Sequence, residues 1–343
     1  MWIGIVPLVV GAMFVISCAT PEDDAENVPL AAVFAGWYGH DPVSGECTGG
    51  SGSTHWNDGP NTSGVRYTPE KGYYCSSDPS IVAWQLAKMK EAGISVLLYS
   101  WWGWGDGDLD GVVEGHPDQY INKSLTEMLN QIRDSNLDMK VALVVEPFTV
   151  TQAGGSGELS RNQSRMVLDY LWENYYKRFQ GQMFQWDGEP LVVTFDPMAL
   201  KDDSRYTIKK WTGRAFDKST EDWDWSFAPP QSLSISKDGV VFVYPRFDES
   251  YLVEDEATYI TWEPRRIDPY FEEGFYDSQW EELIRLCRNV TMIILYSWNI
   301  YGEQTHIEPS YDGPAPVGVE YLAKTQRYYD EFKGCLVNTP SER

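Results

Sequence analysis

Six near-continuous apolar runs recur along the chain, at residues 31–38, 95–102, 140–147, 190–197, 240–245 and 291–299. They are rich in Val, Ile, Leu and aromatic residues and do not alternate with polar positions. That pattern predicts strands covered on both faces, as in a parallel sheet. Amphipathic stretches lie between them. Asp78-Pro79 opens one that carries Ile81, Trp84, Leu86 and Met89 and stops at Gly93. Cap, first-turn proline and terminal glycine together predict a helix there. Further helices are predicted over 119–135, 160–179, 277–288 and 318–332. Two weaker strands are read near 214–216 and 222–227. Eight strands alternating with helices predict an α/β fold, a single (β/α)8 TIM barrel. An open doubly wound sheet is the alternative, weakened by the lack of a Gly-X-Gly-X-X-Gly turn after the first strand.

Residues 2–16 form an uncharged apolar run that ends in Val15-Ile16-Ser17-Cys18, ahead of the polar Thr20-Pro21-Glu22-Asp23-Asp24. The run is short for a membrane span and of the right length for a signal-peptide core. An aliphatic residue, a small residue and a cysteine resemble a lipobox, which would make Cys18 the acylated residue. No Lys or Arg precedes the run, and an uncleaved anchor is the alternative. Either reading predicts an extracytoplasmic protein, a cell-surface lipoprotein or a secreted one, whose membrane contact is confined to its N-terminal anchor. The expected division is a signal peptide over 1–18, an acidic linker over 19–30 and one domain over 31–343.

Composition narrows the function. The chain has 343 residues, 51 acidic against 27 basic side chains, a net charge of −24 and 15 tryptophans. No basic face is offered to phosphates, which argues against nucleic acid. In an oxidising compartment the four cysteines other than Cys18 pair. Cys47–Cys75 and Cys287–Cys335 are the expected bridges, because each closes a segment with few elements between. Four Asn-X-Ser/Thr triplets, at Asn61, Asn122, Asn162 and Asn289, permit glycosylation. The acidic Asp106-Gly-Asp108-Leu-Asp110-Gly111 resembles the opening of a calcium loop. Its twelfth position is Pro117, so an exposed turn is the favoured reading, and any calcium would be structural.

In a barrel the chemistry gathers at the carboxyl ends of the strands. Here those ends carry Trp37-Tyr38, Trp101-Trp102, Glu146, Asp196, Trp225, Arg246 with Asp248, and Asn299 through Glu303. Aromatic plates stack on sugar rings, and glycoside hydrolysis needs two carboxyl groups. A Ser/His/Asp hydrolase is poorly supported by four histidines and no Gly-X-Ser-X-Gly elbow. Alternation along the strand lets at most one of Trp101 and Trp102 face inward, and Trp102 is the expected sugar contact.

The chain resembles glycoside hydrolase family 99, the endo-α-mannosidases and endo-α-mannanases. The resemblance rests on Ala35-Gly-Trp-Tyr-Gly39, His55-Trp-Asn57, Tyr67 through Pro79, Ser100-Trp-Trp102, Val145-Glu-Pro147, Phe195-Asp196 and Ser297 through Pro309, in that order. It implies a retaining (β/α)8 enzyme acting on oligosaccharide or polysaccharide, with no cofactor and no metal. In that family one Glu deprotonates the sugar 2-hydroxyl, which attacks C1, and a second Glu protonates the leaving oxygen. The second matches Glu303. The first falls on Ile300, which neither takes a proton nor bears charge. Three readings follow. A repositioned carboxylate serves, with Glu146 the first candidate and Asp248 and Asp196 next; or the chain is a surface glycan-binding or assembly protein without turnover; or it runs a different glycan chemistry. Trp37, Tyr38, His55, Asn57, Trp102, Asp196, Asp248 and Asn299 are the expected sugar contacts.

Overall fold

The computed structural model of the chain describes residues 28–41, 46–51, 53, 55–56, 65–103, 118–146, 159–195, 200–212, 223–224, 233–247 and 274–338. Its core is a parallel sheet of eight strands taken in chain order. These are β1 (Leu30–Ala35), β2 (Val96–Trp101), β3 (Lys140–Val145), β4 (Glu189–Phe195), β5 (Thr207–Thr212), β6 (Trp223–Asp224), β7 (Val240–Val243) and β8 (Met292–Leu295). Each pairs with the next up to β6, and β7 pairs with β8. The sheet curls far enough for β8 to pair with β1, with Leu30 opposite Ile293. Between β6 and β7 the described residues touch without ladder pairing. A short antiparallel strand, Gln185–Trp186, flanks β4, and Ser310–Asp312 pairs with Thr68–Pro69 and Ala315–Pro316 in a separate small sheet.

Five described helices cover the outer face: α1 (Pro79–Glu91), α2 (Asp118–Asp134), α3 (Arg161–Leu171), α4 (Phe275–Arg285) and α5 (Gly318–Asn338). Their starts are written locally. Asp78 accepts from the Ser80 amide at the head of α1. Ser160 and Gln163 form a reciprocal capping box at the head of α3, which satisfies two amides that the helix leaves orphaned. Among the described residues no helix is long and apolar enough to cross a membrane.

Alternation sorts the strand residues into two layers. Leu30, Ala32 and Phe34 of β1, with Leu97, Tyr99 and Trp101 of β2, face outward into a core shared with the helices. Ala31, Val33 and Ala35, Val96 and Leu98, Ala142 and Val144, and Met292 and Ile294 face inward. Carried past the strand ends, the inward register reaches Trp37, Ser100, Trp102, Glu146, Tyr244 and Tyr296. The β1–α1 connection is held close by glycine: a side chain at Gly36 would overlap the Tyr99 hydroxyl, and Gly39 has φ +82° against the Tyr74 carbonyl.

The expected strands near 31–38, 95–102, 140–147, 190–197, 240–245 and 291–299 are present with trimmed ends. The fifth strand is a correction. It lies at Thr207–Thr212, not near 214–216, because Lys209 and Lys210 interrupt its apolar positions while Trp211 is buried. Both expected bridges form, Cys47–Cys75 and Cys287–Cys335, closing 28 and 48 residues.

Candidate active site

Trp37 and Trp102 extend the inward registers of β1 and β2 and meet edge to face with ring centroids 4.9 Å apart. His55 joins them, 5.5 Å from Trp37 and 6.1 Å from Trp102. All three are half-buried, so the group is an aromatic plate that keeps part of its surface open. Trp101 takes the opposite register. It is fully buried, stacks on Tyr170 and donates its indole N–H to Asn122. The Asn122 side chain also receives the Tyr175 hydroxyl and donates to the Gly103 carbonyl, so this triplet serves packing. Trp56 is likewise buried, stacked on Tyr38 at 4.1 Å.

Glu146 follows β3, its amide donating to the Trp101 carbonyl. The Ser100 hydroxyl donates to its Oε1 at 2.6 Å, and the Trp102 indole N–H donates to Ser100 Oγ at 2.9 Å. The plate and the carboxyl are therefore joined through one hydroxyl. Burial, opposed by the Ser100 hydrogen bond, raises the Glu146 carboxyl to about 7.

Glu303 lies half-buried in the turn after β8. Burial first, and then the charges of Glu303 and Glu146, hold the Tyr296 phenol well above its ordinary range. Ile300, by contrast, is 7 % exposed and packs with the aromatic residues of the inner layer. Its amide donates to Ser297 Oγ. The position that the resemblance gives to a base is thus apolar core.

Two expected sugar contacts turn to the protein. Asn299 is fully buried, accepts from the Ala35 amide at 2.7 Å and donates to the Ala35 carbonyl at 2.8 Å, which clamps the end of β1 to the turn after β8. The Tyr38 hydroxyl donates to the Asn299 carbonyl and accepts from the Tyr301 amide. Asn57, Asp196, Asp248, the possible calcium ligands Asp106, Asp108 and Asp110, and Cys18 lie outside the described residues. Among the described residues no cluster of three metal-ligating side chains occurs.

Glu308 escaped sequence reasoning. It is fully buried and accepts from Gln85 at 2.7 Å, Tyr74 at 2.8 Å and Tyr301 at 2.7 Å. Burial raises its carboxyl to about 7 against these three donors. Tyr296 and Ser100 were missed as well. The signal for them was the inward register itself, which places both beside the carboxyls.

The comparisons with known proteins point the same way. A family model described as glycosyl hydrolase family 99 matches residues 30–227. A glycoprotein endo-alpha-1,2-mannosidase of Mus musculus is 26 % identical over 162 residues, 40 % of this chain and 32 % of that one. The chain thus spans about a third of the length of this relative. A solved GH99 endo-alpha-mannosidase from Bacteroides thetaiotaomicron, in complex with bis-tris-propane, superposes with a TM-score of 0.64. Its identity is 18 %, covering 91 % of this chain and 99 % of that one. A second structure of the enzyme gives 0.61, also at 18 % identity, covering 89 % and 98 %.

Proposed function

Because the chain belongs to glycosyl hydrolase family 99, we propose that it hydrolyses α-mannoside-like linkages in extracellular glycans with retention of configuration. The fold is read as a (β/α)8 barrel whose seam closes between β6 and β7. Glu303 and Glu146 are its two carboxyls. The resemblance gives Glu303 the general acid/base role, and Glu146 takes the place left empty at Ile300. Trp37, His55 and Trp102 form the sugar plate, with Asn57, Asp196 and Asp248 as further contacts. The observation that carries this reading is the Glu146 carboxyl at the end of β3, joined through the Ser100 hydroxyl to Trp102 of the half-open aromatic plate. It supports a second carboxyl in the cleft even though position 300 is apolar. No cofactor is assigned a step. The two disulfides are compatible with an extracytoplasmic location, as the sequence at Cys18 proposes.

The test is release of new reducing ends from a panel of α-mannans and mannose-rich oligosaccharides. Wild-type protein is expected to cleave at least one. Glu303→Gln and Glu146→Gln should each lose roughly a thousandfold or more in rate while still binding the same glycan. Glycan binding without cleavage by any form would favour the surface glycan-binding reading, which the apolar Ile300 motivates.

A further inference from the structure

Arg246 lies three residues past β7 and continues the inward register of Phe242 and Tyr244. It is 4 % exposed. A guanidinium donates and never accepts, and here its donors converge on the turn after β8. Its Nε donates to the Gln304 carbonyl, and one terminal nitrogen donates to His306 Nε2 at 2.8 Å and to the His306 carbonyl at 3.2 Å. The rings of Tyr67 and Tyr321 flank it, with centroids 4.4 and 5.2 Å from the guanidinium carbon. Bonds from a charged donor are stronger than neutral ones, and burial strengthens them further.

The turn that Arg246 grips carries Glu303. Gln304 follows Glu303 directly, is 1 % exposed and has φ +54°. A left-handed residue other than glycine persists only where its surroundings over-determine it. The Gln304 amide donates to the Tyr301 carbonyl at 3.1 Å, the Thr305 amide donates to the Ile300 carbonyl at 3.3 Å, and Arg246 holds the Gln304 carbonyl itself. The first two bonds lie within the turn; the third ties it to β7. The same guanidinium sets the state of His306. Because Arg246 only donates, Nε2 accepts and bears no proton, so the neutral ring carries its proton on Nδ1. Burial first, and then the charge of Arg246, hold this imidazole well below its ordinary range. The ring stacks on Tyr301 with centroids 4.0 Å apart, and Ser310 Oγ lies 3.0 Å from Nε2.

We propose that Arg246 is a positioning residue for the reaction: it pins the backbone at Gln304 and His306 and so fixes where Glu303 presents its proton to the glycosidic oxygen. This rests on the reading of Glu303 as the general acid/base, and Arg246 acts only through that turn.

Two measurements test this on the whole protein. The first compares an unactivated α-mannoside glycan with the matching α-glycosyl fluoride, whose leaving group departs without a proton. The variants are Arg246→Lys, whose one ammonium cannot reproduce the guanidinium fork, and Arg246→Met. A misplaced acid costs most where the leaving group needs a proton. Each variant should lose roughly a hundredfold in kcat on the glycan and at most roughly tenfold on the fluoride, with KM for the glycan within roughly threefold of wild type. Equal losses on both substrates, a change confined to KM, or full activity would overturn the proposal. The second measurement uses wild-type protein and stands even where a variant does not fold. The imidazole 15N signals of His306, identified by His306→Gln, should show a bare Nε2 and a protonated Nδ1 at neutral pH. A protonated Nε2 would mean that Arg246 does not donate there, which also overturns the proposal. Wild-type protein that cleaves neither substrate but shows the expected tautomer sinks the hydrolase reading and leaves the clamp on the Glu303 turn standing.

Discussion

Ser100 has one proton and two neighbours, and geometry decides where the proton goes. The Trp102 indole N–H can only donate, so Ser100 Oγ accepts there and directs its own proton to Glu146. Replacing it with alanine removes a donor that stabilises the charged carboxylate. Ser100→Ala should therefore raise the Glu146 carboxyl further and move the acidic limb of the activity profile to higher pH, and Ser100→Thr should restore it. A profile that falls in height without shifting would assign Ser100 to packing alone. On the proposed reading the half-open plate contacts sugar in ground and transition states alike, so Trp102→Ala should raise KM by roughly tenfold with a smaller change in kcat. At this scale the sequence was least legible. Residue type put Tyr38 and Asn299 among the sugar contacts, but only packing shows that Tyr38 and the Asn299 amide are turned to the backbone of β1 and of the turn after β8. Tyr296 and Glu308 read as core and motif residues until their neighbours were in place.

The elements follow from short-range rules, which is why most of them were visible in advance. Asp78-Pro79 and Ser160 with Gln163 carry their caps within a few residues, and both helices start there. Strands that are buried on both faces announce themselves as unbroken apolar runs. The strand Thr207–Thr212 does not, since Lys209 pairs with Asp238 and leaves a polar position in the ladder. Close packing at the strand ends gives a direct test. A methyl group at Gly36 would sit 1.7 Å from the Tyr99 hydroxyl and 2.9 Å from Ser124 Oγ. Gly36→Ala should destabilise by about 2 kcal/mol or more through overpacking, read as a lower midpoint in denaturant. The Cys287–Cys335 bridge ties α5 to the turn that follows α4 across 48 residues. Replacing both cysteines with alanine should cost about 2–4 kcal/mol, and an unchanged midpoint would show that the bridge constrains little.

Across the whole molecule, the aromatic excess divides between two jobs. Trp56, Trp101, Trp211, Trp223, Trp280 and Trp298 are buried, whereas Trp37 and Trp102 stay half-open at the strand ends. The inner layer also stores a pH dependence. Burial holds Glu308 at about 7 against an ordinary value of 4.5. Its folded state therefore binds a proton more tightly than the unfolded chain does. The associated stability is fully present below pH 4.5 and is lost as pH rises through about 7. Glu308 should contribute a fall of up to about 3 kcal/mol over that window, and Glu308→Gln should make the fall shallower without abolishing it, since the Glu146 carboxyl is raised alike. A stability that rises over the same window would overturn this assignment.

Cleavage without a carboxylate at position 300 is the central claim, and it rests on Glu303 and Glu146 sharing one cleft. The most direct measurement is the rate of reducing-end release from an α-mannan panel by wild type, Glu303→Gln and Glu146→Gln, with glycan binding measured in parallel. The account predicts cleavage by wild type, loss of roughly a thousandfold or more in each variant, and retained binding in all three. A Glu146→Gln protein that cleaves the glycan as fast as wild type would contradict it.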